Sequence, residues 1–398
     1  MWTFRLDPSD GQMTLLSVNA DDKTTVNPAF SRVHPTKNIL YACTESVETN
    51  GEVLTWKVNP KTGMLNLIGR ADACGTSTCY ITLDRQAKRA LIVNYWNSTI
   101  VVLTILPKIG AISSTSPFIF DPNRGRVMSV SHKSHVNHSE NDENAQKERQ
   151  LDPHSHAVIL DPFFGKIVFV PDLGMDLIRQ MVYDENTGII QPRGFVKSGP
   201  PGKVALGPRY IEFHPSLHVA YVVNELSSEV AVFAFDKAIA QEIISSASGQ
   251  GNDDDAVKQT LSLFQNVRTI PEGFPQEMNT CGRITVHSSG RFVLVSNRGH
   301  DSLSVFKVDS VTGKLYDPKF YHTRGSTPRH FQFDPSGQWL IVANQDSNSI
   351  KVFQFNLSTG AIDYTGNTYA VPSPNFVCCF APRSPSVDSD EQVLASRL

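Results

Sequence analysis

A polar turn recurs along this chain in a fixed place between short apolar strands: PDLGMDLI at 171–178, VNELSSEV at 223–230, SNRGHDSLSVF at 296–306 and ANQDSNSIKVF at 343–353. Such self-similarity marks an array of supersecondary units, none of which buries its apolar face alone. Counted from the first polar residue of each turn, the repeat falls on Thr44, Asn94, Asp172, Asn224, Asn297 and Asn344, separated by 50, 78, 52, 73 and 47 residues. Intervals near 50 residues hold four short strands and their turns, the size of one propeller blade. The two long intervals add insertions of roughly 25 residues to that period.

Residues 329–362 show the unit at its clearest. Phe331 and Phe333 alternate with polar neighbours, Leu340, Ile341 and Val342 form a buried run, and Ile350 and Val352 flank Lys351 in a third strand. Between the first two strands lies Pro335-Ser336-Gly337, where proline presets φ and glycine tolerates φ > 0. DPFFG at 161–165 and HSSG at 287–290 serve the same purpose. Strand triplets of this kind start near Phe30, Tyr80, His156, Tyr210, Ile284 and His330, giving six blades.

A seventh blade is expected from the chain ends. WTFRLDPSDGQMTLLSV supplies two outer strands and PNFVCCFAP at 374–382 an inner one. Pairing first with last closes the ring and removes exposed strand edges. The closing blade is then one strand short, because only Met1 precedes Trp2; a truncated N-terminus or a three-stranded blade accounts for this. The expectation is an all-β, seven-bladed propeller over residues 1–382, with surface insertions at about 124–152 and 240–275 and a flexible tail at 383–398.

Composition bounds the function by exclusion. A net charge of −3 leaves no electrostatic footprint for nucleic acid or an anionic membrane. No apolar run approaches a membrane-spanning helix, and the first residues lack a signal peptide's charged and apolar regions. The six cysteines (Cys43, Cys74, Cys79, Cys281, Cys378 and Cys379) form no paired CxxC framework and are expected to be reduced packing residues of an intracellular protein. His132, His135 and His138 invite a metal reading, but they lie in a polar segment, 131–152, with no rigid framework of further ligands, so a solvated surface loop is preferred. In the acidic stretch 246–258, the three aspartates Asp253, Asp254 and Asp255 are not followed by the glycine and distal glutamate of a calcium loop. No metal or cofactor is expected.

In a propeller, side chains at the starts of inner strands and in the first turns converge on the central channel. Aligning backward from Pro162, Pro215 and Pro335 places His156, Arg209 and Arg329 at one structural position. Glu225 lies one strand and one turn beyond Arg209, and Arg298 sits in the equivalent turn with Asn297 and His300 beside it. Each residue alone reads more readily as an ion-pair partner or a hydrogen-bonded core group. Together, a histidine, a carboxylate and several arginines suit a small anionic molecule and proton transfer.

The strings HSHAVILDPFFGKIVFVPDLGMD, GPRYIEFHPSLHVAYVVNELSSEV, SSGRFVLVSNRGHDSLSVF and TPRHFQFDPSGQWLIVANQDSNS resemble the lactonase family of seven-bladed propellers. That family includes a bacterial type of 6-phosphogluconolactonase and a fungal carboxymuconate lactonising enzyme. The resemblance covers nearly the whole chain and implies a metal-free site. Carried over by motif, it falls on His156, with His154 competing, and on Arg209, Glu225 and Arg298 as catalytic residues; His154, Asn297, His300 and Arg329 are the expected substrate contacts. This chain departs from the pattern in three places. The usual first strand is absent, VNYWNST puts Trp96 where glycines are usual and so narrows the mouth, and CGR sets Arg283 one place off the arginine register.

Lactone hydrolysis is therefore the expected activity, with Glu225 or His156 as general base and Arg209 and Arg298 holding the anionic group and the oxyanion. Carboxymuconate-type cycloisomerisation is the alternative enzyme reading, and a non-catalytic propeller binding a ligand or protein partner the alternative class. The expected partner is a small phosphorylated or carboxylated lactone, the expected state a monomer without nucleic acid or membrane. The chain ends in Ser396-Arg397-Leu398, a conservative variant of the SKL peroxisomal address, so a cytoplasmic or peroxisomal location is expected.

Overall fold

The computed structural model describes residues 1–19, 26–123, 149–246 and 258–383. The three-histidine segment, most of the acidic stretch and the C-terminal tripeptide lie outside these residues.

Six antiparallel sheets of four strands each, with strands in chain order across each sheet, span residues 28–72, 78–120, 159–197, 208–268, 280–322 and 328–370. They are numbered here as blades one to six of an all-β propeller. Every residue of the second strands Ile39–Thr44, Ile167–Asp172, Val219–Asn224, Phe292–Arg298 and Trp339–Asn344 is buried. A strand covered on both faces reads as a continuous apolar run, and each fully buried Val, Leu or Ile contributes about 1.5–3 kcal/mol.

The recurring polar residue that ends the second strand joins neighbouring blades. The side-chain amides of Asn94, Asn224, Asn297 and Asn344 donate to the carbonyls of Ala73, Ser198, Thr269 and Thr323 at 2.9–3.1 Å. Each acceptor directly follows the outer strand of the preceding blade. Asn344→Ala would leave the Thr323 carbonyl without this donor in a buried position. A loss of about 1–3 kcal/mol is expected, read as a lower urea midpoint with unchanged m-value.

The first hairpin turn of each blade is held the same way. Asp161 and Asp334 carboxylates accept several backbone N–H groups of their own turns, while His214 and His287 use Nδ1 for the same purpose. With Nδ1 accepting, Nε2 carries the proton and points at the next blade, 2.8 Å from Gly290 O and 3.2 Å from Gly337 O respectively. Both glycines have positive φ, and a Cβ on either would lie within 2.7 Å of the histidine ring. Glycine is therefore required there on two counts.

Three expectations need correction. The inner strand of blade three is only Ile159–Leu160; His156 lies before it, in a segment tied down by a Ser155–Asp172 bridge. The 240–275 insertion contains the outer strand Leu261–Arg268, whose pairing with Glu229–Phe235 follows a helix at Lys237–Ser246. At the closing position, Trp2–Leu6 pairs with Met13–Val18 in a two-stranded sheet, and residues 374–380 form no strand. Both terminal segments nonetheless bond to blades six and one. Trp339 Nε1 donates to Pro8 O at 3.0 Å, Asn19 Nδ2 to Leu65 O at 3.2 Å, and Asn375 Nδ2 to Pro28 O at 3.0 Å.

Candidate active site

A β-bulge aims side chains into the channel. In blades one, two, four and six the first and third residues of the inner strand pair with consecutive residues of the second strand, so Ala29, Cys79, Arg209 and Arg329 are each the extra residue. A bulged residue leaves the ladder and is re-aimed. In blade five Gly282 takes this place, where a Cβ would lie 2.6 Å from Ser296 Oγ and 2.7 Å from Arg329 O. The next residue, Arg283, turns aside to Glu212 at 2.6 Å and lies over the Tyr210 ring. Beneath this tier the following residues form an aromatic collar: Phe30 meets Tyr80 at 4.2 Å and Phe376 at 4.4 Å, and Phe376 meets His330 at 3.9 Å.

A second tier follows the polar residue of each repeat and includes Glu45, Tyr95, Glu225, Arg298 and Gln345. Between the tiers, Glu45, Cys79, His156, Arg209 and Arg329 surround a chamber of about 20 Å³. That volume accommodates one water molecule. The same five side chains line a cavity of about 1370 Å³ that extends past Tyr95, Trp96 and Arg149 and into the gap between blades one and six. Trp96 thus stands on the cavity wall.

Glu225 lies behind that wall. It is fully buried, with Oε1 accepting from Arg149 Nη1 at 2.6 Å and lying 3.1 Å from Arg298 Nη2, while Oε2 accepts from Arg209 Nη1. Burial pushes its pKa up, but the Arg209 and Arg149 charges outweigh this and hold it at about 2. A carboxylate clasped by three guanidinium groups is a fixed anion, not a base. Arg209 in turn has its pKa raised: burial disfavours its charge, and Glu225 more than compensates. Burial and the Arg329 charge press the Arg298 pKa down. A guanidinium beside a carboxylate nevertheless remains cationic.

His156 is the histidine on the cavity. Its ring stands edge-on to Tyr95 and Tyr210 at 5.3 and 5.4 Å, and its Nδ1 is buried without a hydrogen-bond partner. Burial, then the Arg209 charge, holds its pKa well below 6.5, so the imidazole is neutral with a lone pair to offer. His154 instead stacks on Tyr95 at 4.7 Å, with Nδ1 3.3 Å from Tyr95 O, and is not part of the cavity wall.

The remaining expected contacts divide. Arg329 lines the cavity. Asn297 spends its amide on Thr269 O, Ser302 Oγ and Ser304 Oγ, and His300 pairs with Ser302 Oγ at 2.7 Å; neither reaches the cavity. Four of the wall residues named above escape the sequence reading: Glu45, Tyr95, Arg149 and Cys79, the last expected only to pack. Glu45 and Tyr95 hold the same register position as Glu225, one place after the polar residue, and that rule applied to Thr44 and Asn94 would find them. Arg149 lies near the end of the polar segment expected to be surface loop, yet its side chain is only 13% exposed because it reaches inward to Glu225. No periodic signal marks it. Among the described residues no group of ligands for a metal occurs.

Comparison with known proteins follows the same direction. A model of the family described as Lactonase, 7-bladed beta-propeller matches residues 1–379. A 6-phosphogluconolactonase of Bacillus subtilis is 28% identical over 348 residues, covering 87% of this chain and 86% of its own. One from Formosa agariphila is 25% identical over 338 residues, covering 84% and 82%. Among solved structures, the periplasmic gluconolactonase of Pseudomonas aeruginosa superposes with a TM-score of 0.73 at 26% identity, over 95% of this chain and 94% of its own.

Proposed function

The chain belongs to the lactonase family of seven-bladed β-propellers, and from that premise we propose that its ring-centre site hydrolyses a small anionic sugar lactone, 6-phosphogluconolactone being the first candidate. The observation that carries this reading is the charge balance of the site. Arg149, Arg209 and Arg298 clasp one ionised carboxylate, Glu225, while Arg209, Arg329 and a neutral His156 line the cavity. An arginine-lined wall suits a phosphate or carboxylate, and guanidinium groups bind such anions in a fixed, bidentate geometry.

In the reaction, His156 accepts a proton from water as its oxygen attacks the lactone carbonyl. Arg209 and Arg329 stabilise the charge that develops on the carbonyl oxygen, with Arg149 toward the entrance for the substrate's anionic group. Glu225 touches none of the reacting atoms in this scheme; it positions Arg209 and Arg149. Removal of one donor to a developing oxyanion costs about 10²–10³ in rate, so Arg329→Ala is expected to lower kcat by that factor. Assays with phosphorylated and unphosphorylated gluconolactone check the substrate class, kcat/KM being higher for the phosphorylated lactone. Loss of diene absorbance on a carboxylated muconate, without lactone turnover, would assign the site to cycloisomerisation.

The same proposal includes a closing seventh blade built by both termini, supported by the bonds of residues 8, 19 and 375 across the gap. It also includes use of Ser396-Arg397-Leu398 as a peroxisomal address. A fluorescent fusion is expected to lose its punctate distribution on deletion of Leu398, and an unchanged pattern would remove the claim.

A further inference from the structure

Glu45 occupies in blade one the place that Glu225 occupies in blade four: each directly follows the buried polar residue ending the second strand. Their surroundings differ. Glu225 is spent on three arginines, whereas Glu45 lines the one-water chamber together with Arg209, Arg329 and His156. Its backbone is fixed by its N–H donating to Asn27 O at 2.9 Å. Among the described residues, the chamber therefore holds one carboxyl group for which no ion pair occurs, together with a histidine whose Nδ1 has no hydrogen-bond partner.

We infer that Glu45 is the general acid of lactone opening, a role that rests on the hydrolase reading above. As water oxygen bonds to the carbonyl carbon, His156 takes the water proton. As the acyl carbon–ring oxygen bond breaks, the Glu45 carboxyl gives its proton to the departing ring oxygen, which leaves as the sugar hydroxyl. The imidazolium then returns one proton through solvent to the Glu45 carboxylate, and the new carboxylic acid releases one to bulk water. Lactone and water become hydroxy acid, and both groups are restored.

The electrostatics agree with this geometry. Burial raises the Glu45 pKa, and the Arg329 and Arg209 charges only partly counter it, while Glu225 is driven to about 2. Environments that push two carboxyl pKa values apart mark separate roles for the two groups. The other titratable groups facing Glu45 are the Cys79 and Cys43 thiols, both with raised pKa and so neutral, and His156, neutral as well.

The test is the pH–rate profile of the full chain on 6-phosphogluconolactone for parent, Glu45→Gln and Glu45→Asp, with thermal midpoints measured alongside. Glu45→Gln is expected to lower kcat about 10²–10⁴-fold at unchanged midpoint and to lose the alkaline limb of the profile, which reports loss of the acid's proton. Glu45→Asp restores part of kcat together with the limb. An active parent with Glu45→Gln within threefold of it, or with the alkaline limb intact in that variant, overturns the inference and leaves the hydrolase reading standing. A parent no faster than spontaneous opening overturns both.

Discussion

Replacing His156 by asparagine is expected to lower kcat on the lactone by about 10²–10⁴ with little change in stability. The ring sits edge-on between Tyr95 and Tyr210, and its Nδ1 makes no hydrogen bond that the fold would lose. What disappears is the neutral base beside the water-sized chamber. The same burial has a pH consequence. Because the folded pKa of His156 lies well below 6.5, its stabilising contribution is complete above that value and declines as pH falls below it, where the unfolded chain binds the proton more readily. His330, likewise depressed by burial, acts in the same direction. Activity is expected to fall on the acid side only below the ordinary histidine range, and a kcat profile with an acid limb near 6.5 would contradict a depressed His156.

Glu225→Gln is the substitution expected to cost the fold most. The amide keeps the size of the side chain but removes the charge that balances Arg149, Arg209 and Arg298 in a fully buried place. Breaking a buried ion pair from one side typically costs 3–5 kcal/mol, and here three guanidinium groups are left facing one another. Unfolding in urea should show the loss, and activity should fall with it because Arg209 and Arg149 are no longer held. The pH dependence follows with a definite sign. A folded pKa of about 2 against an ordinary 4.5 means that the contribution of Glu225 is present above about 4.5 and is lost as pH falls toward 2. The Glu225→Gln variant should therefore lose the part of the acid destabilisation that the parent shows in that window. If its stability matched the parent at pH 7, the arginine clasp would carry no weight.

The propeller was legible because its second strands are buried on both faces and end in a polar residue at a near-constant interval. Asn94, Asn224, Asn297 and Asn344 recur for the mechanical reason that each amide ties its blade to the preceding one. That same recurrence misdirected the site: Asn297 was an expected substrate contact because it stands beside Arg298, yet its amide is consumed by the blade. The cluster of Arg209, Glu225 and Arg298 follows from register alone, since matched positions on successive blades converge on one axis. What register does not convey is depth. A bulge turns Arg209 and Arg329 onto the wall, while Glu225 and Arg298 fall behind it, and nothing in the local composition announces a bulge. The choice between His154 and His156 likewise depended on the irregular backbone before Ile159–Leu160, where alternation gives no direction. Arg149 was hidden for another reason: it lies near the end of a polar stretch whose composition describes a solvated loop, while contacts with Glu225 and Tyr95 draw it inward.

The central claim is that this ring centre is an anion-binding hydrolytic site with His156 as its base. Proton release during opening of 6-phosphogluconolactone near neutral pH, with the spontaneous rate subtracted, tests it most directly. The account predicts saturable acceleration by the parent chain that His156→Asn lowers by at least about 10² while the thermal midpoint holds. A parent rate equal to spontaneous opening, or a His156→Asn variant as fast as the parent, would contradict it.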